Sequence, residues 1–543
     1  MKKRYVVVFI FSMISLFYSD VLAELKYWHF IMYGQSLSAG AQSYPLLSKG
    51  SLQNTFMMGN QVWYNYGNVG SKPVVPLQMV TVGGEPADGL RNRQAGVLAE
   101  SPLYGFITHF QKKTNYKYNS LVTSCGYHGR TIEQLSKGSS EPTLYGCFQN
   151  AINSASVAVK AQESEIMCPA IFWLQGENNY STSYPGYVSG SLCTDDKDEY
   201  KEWLLRLKND MQQDIRDLYL QEISPMFITY QTGGQYIKNK ELSISMAQLE
   251  AANTYSDIVC AGPVYPMTDR GGHLDPNGYR WYGEMLGKVF YKTQIEGKNF
   301  SPLQPKAIYR TENPNELKIQ FQVPVLPLVF DEYLVEKQDN YGFELYLNGR
   351  KCSISSVRIE GDCVILSSNY SFVGKEMSVS YAGMGTNGHG NLRDSDDYSA
   401  YLNYIDLDEK NGDGSYLYSR DATESTLRPS YEPQDKNGII YGKTYPLYNF
   451  SVSFYYILGK DEDCHFTSID EILIDKERVN VFPNPTTGRI SIRGVSPYSQ
   501  VVLYDLYGKQ LALTSAKDID LSSYHKGIYF VKTEKGMIKI IKK

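Results

Sequence analysis

Between Glu24 and about Lys298, short apolar runs alternate with stretches of helical periodicity, and that alternation limits the fold more than any other feature. Trp28 to Met32, Asn119 to Ser124, Ala170 to Leu174 and Met226 to Tyr230 read as buried strands. Tyr200 to Leu218 instead carries Trp203, Leu204, Leu207, Met211, Ile215 and Leu218 at helical spacing, with charges between. Pro276 to Tyr291 reads as the last helix, with Trp281, Met285, Leu286 and Phe290 on one face. Such alternation predicts an α/β domain, a parallel sheet flanked by helices. Ligands of such sheets bind beyond the carboxyl ends of strands, so chemistry is sought just after each strand-like run.

Near Phe300-Ser301-Pro302 the pattern changes. From Ala307 to about Tyr456 the chain alternates in strands such as Lys318 to Phe321 and Val364 to Leu366, which predicts an all-β sandwich. Within it, Asp406 to Gly414 is rich in oxygen ligands like a calcium loop, but position twelve is Leu417 rather than Glu. A solvated acidic turn is the expectation. The end of the chain, from Val481-Phe482-Pro483-Asn484-Pro485 to Gly527-Ile528-Tyr529-Phe530-Val531-Lys532, predicts a small all-β module. At the other end, Lys2, Lys3 and Arg4 precede the apolar run Tyr5 to Phe17 and the small-residue site Val21-Leu22-Ala23. This predicts a cleaved signal peptide, the run being short for a membrane anchor. The expected divisions are 1–23 signal peptide, 24–298 α/β domain, 299–460 sandwich, 461–478 linker and 479–543 terminal module.

Net charge is −5 with both signs mixed along the chain, so no basic stripe marks a nucleic-acid partner. No second apolar stretch approaches ~18 residues, and no transmembrane segment is expected in the mature chain. The 46 tyrosines supply flat apolar rings with a hydroxyl edge, which suits contacts to sugars and also exported β-rich proteins generally. None of the eight cysteines forms a Cys-x-x-Cys pair, which argues against zinc and thioredoxin-like chemistry. Cys352 and Cys363 flank a plausible hairpin and are the first candidates for a disulfide; buried free thiols are the alternative.

Strand Trp28–Met32 breaks at Tyr33-Gly34-Gln35-Ser36, presenting a serine hydroxyl at the strand's end. A serine attacks only if a base takes its proton, and histidine is the usual base. His29 lies inside the strand and His109 on an apolar helix-like face, so both read as structural; His128, in a glycine-rich loop, is a rival to His273. His273 follows Asp269-Arg270-Gly271-Gly272 and precedes a proline-started helix, with Asp269 and Asp275 near enough to hold its ring. Taken with Trp173-Leu174-Gln175-Gly176-Glu177, these blocks suggest a serine hydrolase.

Residues 27 to 292 resemble the SGNH hydrolases, in the branch of sialate O-acetylesterases and acetylxylan esterases. Gly34-Gln35-Ser36 matches the nucleophile block, Trp173 to Glu177 the Trp-x-Gln-Gly-Glu block, and His273-Leu274-Asp275-Pro276 the histidine block. The resemblance implies Ser36 as nucleophile, His273 as general base and then acid, and no metal or cofactor. It departs at the aspartate: the family writes Asp-x-x-His, but position 270 is Arg, leaving Asp269 as the expected partner and Asp275, Glu177 or a backbone carbonyl as alternatives. The implied oxyanion donors are the Ser36 N–H, Gly129 (or Gly126) and the Gln175 amide, with Glu177 buttressing the loop or binding a substrate hydroxyl. The implied substrate is an acetylated glycan. A cell-surface glycan-binding protein with a degenerate hydrolase fold and a general esterase or lipase are the alternatives.

The terminal module closely resembles the sorting domain of the type IX secretion system, with its Pro-Asn-Pro, Tyr504-Asp505-x-x-Gly508-Lys509 and Gly-Ile-Tyr-x-Val-Lys landmarks. That resemblance implies the secretion machinery as a partner and a secreted or surface-attached protein. A carbohydrate-binding β-module is the alternative.

Overall fold

The computed structural model describes residues 26–543 except 42, 44–45, 49, 60–61, 65–71, 78–99, 141, 182–192, 408–409, 415–430, 432, 436–437, 461, 467–478, 494, 496–499, 507–508, 516 and 534–535. The expected signal peptide, most of the expected linker, and Leu417 of the acidic turn lie outside the described residues.

The first domain is an α/β layer, a mostly parallel sheet flanked by helices. Strand β1 (Lys26–Gly34) is buried along nearly its whole length, as its continuous apolar run requires of a strand covered on both faces. It runs parallel to β4 (Asn119–Ser124) on one side and to β6 (Ala170–Leu174) on the other, with Ile31 opposite Thr123 and Ile171. Strands β2 (Thr55–Met58) and antiparallel β3 (Val74–Pro76) extend one side, β7 (Met226–Gln231) and β8 (Ile258–Pro263) the other, and β5 (Glu165–Met167) pairs with the start of β1. The order β3-β2-β4-β1-β6-β7-β8 means the chain starts in the middle, builds one side and then returns to build the other. The switch point therefore lies at the carboxyl ends of β4, β1 and β6, where α/β sheets bind ligands.

Seven helices accompany the sheet: α1 (Ser36–Ala39), α2 (Pro102–Lys113), α3 (Ile132–Leu135), α4 (Pro142–Lys160), α5 (Lys197–Tyr219), α6 (Ser243–Thr254) and α7 (Pro276–Phe290). Asp196 caps α5, its carboxylate accepting the N–H groups of Asp198 and Glu199 at 2.9 and 3.0 Å. Helices α2 and α7 touch backbone to backbone. A Cβ at Gly105 would lie 2.1 Å from the Arg280 carbonyl oxygen, and one at Gly283 would lie 2.1 Å from that of Pro102. Only glycine allows this approach.

All fifteen residues of α7 are buried. Its apolar face meets the first domain, and its opposite face carries polar residues that meet the β region. Asn277 exchanges hydrogen bonds with both backbone groups of Ile405 (2.9 Å each), and the Trp281 indole donates to the Pro446 carbonyl at 2.7 Å. Glu284 accepts the N–H groups of Tyr401 and Leu402 and the His109 ring N–H at 2.7 Å. Lys288 donates to Leu447 O and Asn449 Oδ1 and pairs with Asp396 at 2.8 Å.

The β region is a sandwich of two antiparallel sheets. One orders Ile354–Glu360, Cys363–Ser368, Glu316–Gln322, Gln304–Arg310 and Cys464–His465; the other orders Arg350–Cys352, Phe343–Leu347, Met377–Tyr381 and Phe454–Leu458. Glu316–Gln322 alternates buried and half-buried residues, and Phe321 meets Phe454 of the second sheet at 6.1 Å between ring centroids. The sandwich and the α/β layer share one continuous core, whereas residues 481–540 have a core of their own. Pairing of Cys464–His465 with Gln304–Arg310 carries the sandwich past residue 460.

The cysteines correct one expectation: all eight are free. Cys352 lies in the second sheet and Cys363 in the first, and the hairpin between them is Ile354–Glu360 with Cys363–Ser368, whose register places Cys363 opposite Glu360. Among the described residues no helix is long and apolar enough to cross a membrane, and no cluster of metal-binding side chains occurs.

Replacing Glu284 by Ala would leave three donors, among them the wholly buried His109 ring, without their acceptor, which should cost about 3 kcal/mol. Denaturant unfolding should show that loss, with Glu284→Gln retaining part of the stability because its carbonyl still accepts.

Candidate active site

The turn that carries Ser36 is built by a collision that only glycine avoids. Gly34 has φ +143°, and a Cβ there would lie 2.1 Å from the Leu174 carbonyl oxygen at the end of β6. The Gln35 N–H then donates to that same oxygen at 2.9 Å, and Ser36 opens α1. As a first-turn residue, Ser36 has an N–H that the helix cannot satisfy. Its Oγ lies 2.8 Å from His273 Nε2. The expected serine and histidine, 237 positions apart, are thus brought within hydrogen-bonding distance, and His128 makes no bond to Ser36.

His273 is held in a short hairpin between β8 and α7. Arg270 N–H donates to the His273 carbonyl at 2.8 Å, closing a two-residue turn of Gly271 (φ +78°) and Gly272 (φ +116°). The Asp269 Oδ1 accepts the N–H groups of both glycines, at 2.7 and 3.1 Å. Downstream, the Asp275 Oδ1 accepts from Gly278 N–H (2.7 Å) and Thr268 Oγ1 (2.5 Å), capping α7. In this register Asp269 lies opposite Leu274, and the position directly across from His273 is Arg270. The longer spacing noted in the sequence is therefore absorbed by the turn, which Asp269 braces.

The second block follows β4. Cys125 and Tyr127 donate their N–H groups to the Met32 and Gly34 carbonyls, both at 2.9 Å, pressing this loop against the turn that carries Ser36. Gly129 adopts φ +62°; its carbonyl accepts from Asn178 Nδ2 at 3.2 Å, while its N–H has no protein acceptor among the described residues.

The third block follows β6. Gln175 is wholly buried, and its two amide hydrogens go to Arg130 O (3.1 Å) and Asn179 Oδ1 (2.6 Å), with Tyr200 donating to its oxygen at 2.9 Å. The bond to Arg130 ties the third block to the second. The Gln35 Oε1 accepts the N–H groups of Gly176 (3.3 Å) and Asn178 (3.1 Å), which fixes the amide's orientation; among the described residues its Nε2 makes no hydrogen bond to protein. Sequence reasoning treated Gln35 as a motif letter; its place between the strand-breaking glycine and the serine was the available signal. Asn178 and Asn179, which pin the same loops, carried none.

Glu177 is buried, accepts from the Tyr230 hydroxyl, and has its carboxyl pushed above the usual range by burial. His29 and His109 are structural: His29 sits between Tyr219 (2.7 Å) and Thr123 (2.8 Å), with burial lowering its pKa to about 3.

A family model described as a secretion system C-terminal sorting domain matches residues 480–543. No curated protein matches the chain. Among solved structures, the chain is similar to a carbohydrate acetylesterase from Xanthomonas citri (14% identity, 67% of this chain, 77% of that one, TM-score 0.45). It is also similar to an Arabidopsis thaliana protein (16%, 50%, 98%, TM-score 0.34) and to an aryl esterase of M. smegmatis (10%, 50%, 100%, TM-score 0.26). The fold and the terminal module define an exported α/β protein with a secretion sorting domain at its carboxyl end. Its last 64 residues address it through the type IX secretion system to the cell surface or the medium.

Burial raises the Asp275 carboxyl to about 6. The proton it keeps contributes stability below the ordinary carboxylate range, and that contribution is lost as pH rises through about 6. Asp275→Asn keeps the capping oxygen, so its melting temperature should fall less than that of the wild type between pH 4 and 7. Parallel curves for the two proteins would contradict this.

Proposed function

We propose that this protein is an exported serine esterase that removes O-acetyl groups from carbohydrates through an acyl-enzyme. The observation that carries the reading is the Ser36 Oγ to His273 Nε2 contact at 2.8 Å.

In this reading His273 takes the hydroxyl proton as Ser36 attacks the acetyl carbonyl. Negative charge gathers on the carbonyl oxygen and is met by the Ser36 N–H, the Gly129 N–H and the Gln35 Nε2. All three are held by backbone or side-chain bonds made before substrate arrives, so little reorganisation accompanies the reaction. The imidazolium then returns its proton to the departing sugar oxygen. Water enters, gives a proton to His273 and attacks the acetyl-serine; as acetate leaves, His273 returns that proton to the Ser36 oxygen. Asp269 acts as a positioning residue, fixing the turn that carries His273. Glu177 acts as a buttress behind Gly176. Neither a metal nor a cofactor enters the sequence of steps.

The choice of acetylated carbohydrate over a long-chain acyl ester rests on the implied family. The rival reading is a glycan-binding protein on a hydrolase scaffold, favoured by Arg270 standing directly across from His273 where the related pattern has aspartate.

Acetate release from acetylated xylan, mannan and sialosides tests the proposal. Ser36→Ala and His273→Ala should each lower kcat/KM by at least about 10³-fold. Gln35→Glu keeps the acceptor for Gly176 and Asn178 but removes the donor, and should lower kcat by about 10²-fold or more with KM little changed. Comparable release by Ser36→Ala would contradict the mechanism, and binding without release would favour the rival.

A further inference from the structure

A cavity of about 220 Å³ lies beside the candidate site, and the sandwich supplies part of its wall. From the α/β side it is lined by Asp269, Gly272 and Leu274, which bracket His273, and by Glu177 at the end of β6. From the sandwich side come Leu334, Val335, Asn387 and His389. The two sides are locked together at a backbone contact: a Cβ at Gly388 would lie 2.3 Å from the Gly234 carbonyl oxygen and 2.5 Å from its nitrogen. The cavity is thus a fixed feature of the joined domains, positioned at the carboxyl ends of β6 to β8.

We propose that this cavity is the subsite for one sugar ring of the ester's alcohol portion, so that the sandwich contributes directly to substrate selection. The proposal rests on the esterase reading above and specifies which part of the fold holds the leaving group. Its size falls below the roughly 300–1,000 Å³ typical of sites for drug-sized ligands, which suits one ring rather than an extended chain.

Its chemistry suits a sugar better than an acyl tail. A pyranose offers apolar C–H faces and hydroxyl donors in alternation. The cavity offers Val264, Met267 and Leu334 as apolar wall, and acceptors beside them. His389 Nδ1 lies 2.8 Å from the Asn387 carbonyl, which can only accept, so Nδ1 carries the proton and the neutral ring offers Nε2 as an acceptor. No protein group among the described residues occupies that nitrogen. The His389 ring is held edge-on to Tyr265 at 6.0 Å, and the exposed Glu336 carboxylate on the rim adds a second acceptor. A lipid-like chain would leave these acceptors facing hydrocarbon.

The test compares kcat/KM for 4-nitrophenyl acetate, which has no sugar, with kcat/KM for the fastest of acetylated xylo-, manno- and sialyl-oligosaccharides. His389→Ala and Glu336→Trp should each lower the oligosaccharide-to-nitrophenyl ratio about five- to tenfold, chiefly through KM, as expected for one lost hydrogen bond or a filled subsite. His389→Gln, which keeps an acceptor, should restore part of the ratio. An unchanged ratio in both variants, with melting temperatures equal to the wild type, would overturn the subsite while leaving the esterase reading intact. If the wild type releases no acetate, titration of Ser36→Ala with the deacetylated oligosaccharides separates the two ideas. Binding that Glu336→Trp abolishes supports the subsite and removes only the esterase reading; absence of binding overturns the subsite.

Discussion

Burying Asn277, Glu284 and Lys288 along one face of a helix is unfavourable unless each polar group finds partners, and the sandwich provides them one helical turn at a time. That match between α7 and the β region is the constraint on which the site depends. Helix α7 begins three residues after His273, and its first turn is capped by Asp275, so wherever α7 is fixed the imidazole is fixed too. The glycine contacts with α2 press the helix against the α/β layer from the other side. The histidine is therefore set by both domains, although the serine belongs to one. This gives the large β region a role in positioning the chemistry whatever else it binds.

The nucleophile end follows a different logic. There the backbone does the work: Gly34 crosses the end of β6 at a distance no side chain tolerates, and the chain turns at once into α1. Gln35 exploits that crossing, because its amide oxygen finds the N–H groups of Gly176 and Asn178. Gln175 has the opposite fate. It is buried among groups that need bonds of their own, so its donors are drawn into the protein. Two glutamines in neighbouring loops thus differ in bonding: the Gln175 amide nitrogen meets acceptors, and the Gln35 amide oxygen meets donors.

The sheet was legible because a strand covered on both faces must be apolar throughout, and β1, β4, β6 and β7 announce themselves in that way. Helices α5 and α7 were legible from their apolar stripes. The polar stripe of α7 was not, since charged residues opposite an apolar face ordinarily meet water, and only the presence of a second domain reverses this. Ser36 and His273 could be read as candidates from their loops, but the partners of Gln175 and Gln35 lie far away in sequence. The same limit applies to Cys352 and Cys363: closeness along the chain implied a shared hairpin, whereas the strand register divides them between two sheets.

The central claim is that the imidazole beside Ser36 makes that hydroxyl nucleophilic. The most direct measurement is labelling of the intact protein with a fluorophosphonate, followed by peptide mapping. The account predicts one phosphonylated residue, Ser36, with labelling lost in Ser36→Ala and greatly slowed in His273→Ala. Failure of the folded wild-type protein to react, or a label on another residue that survives both substitutions, would contradict it.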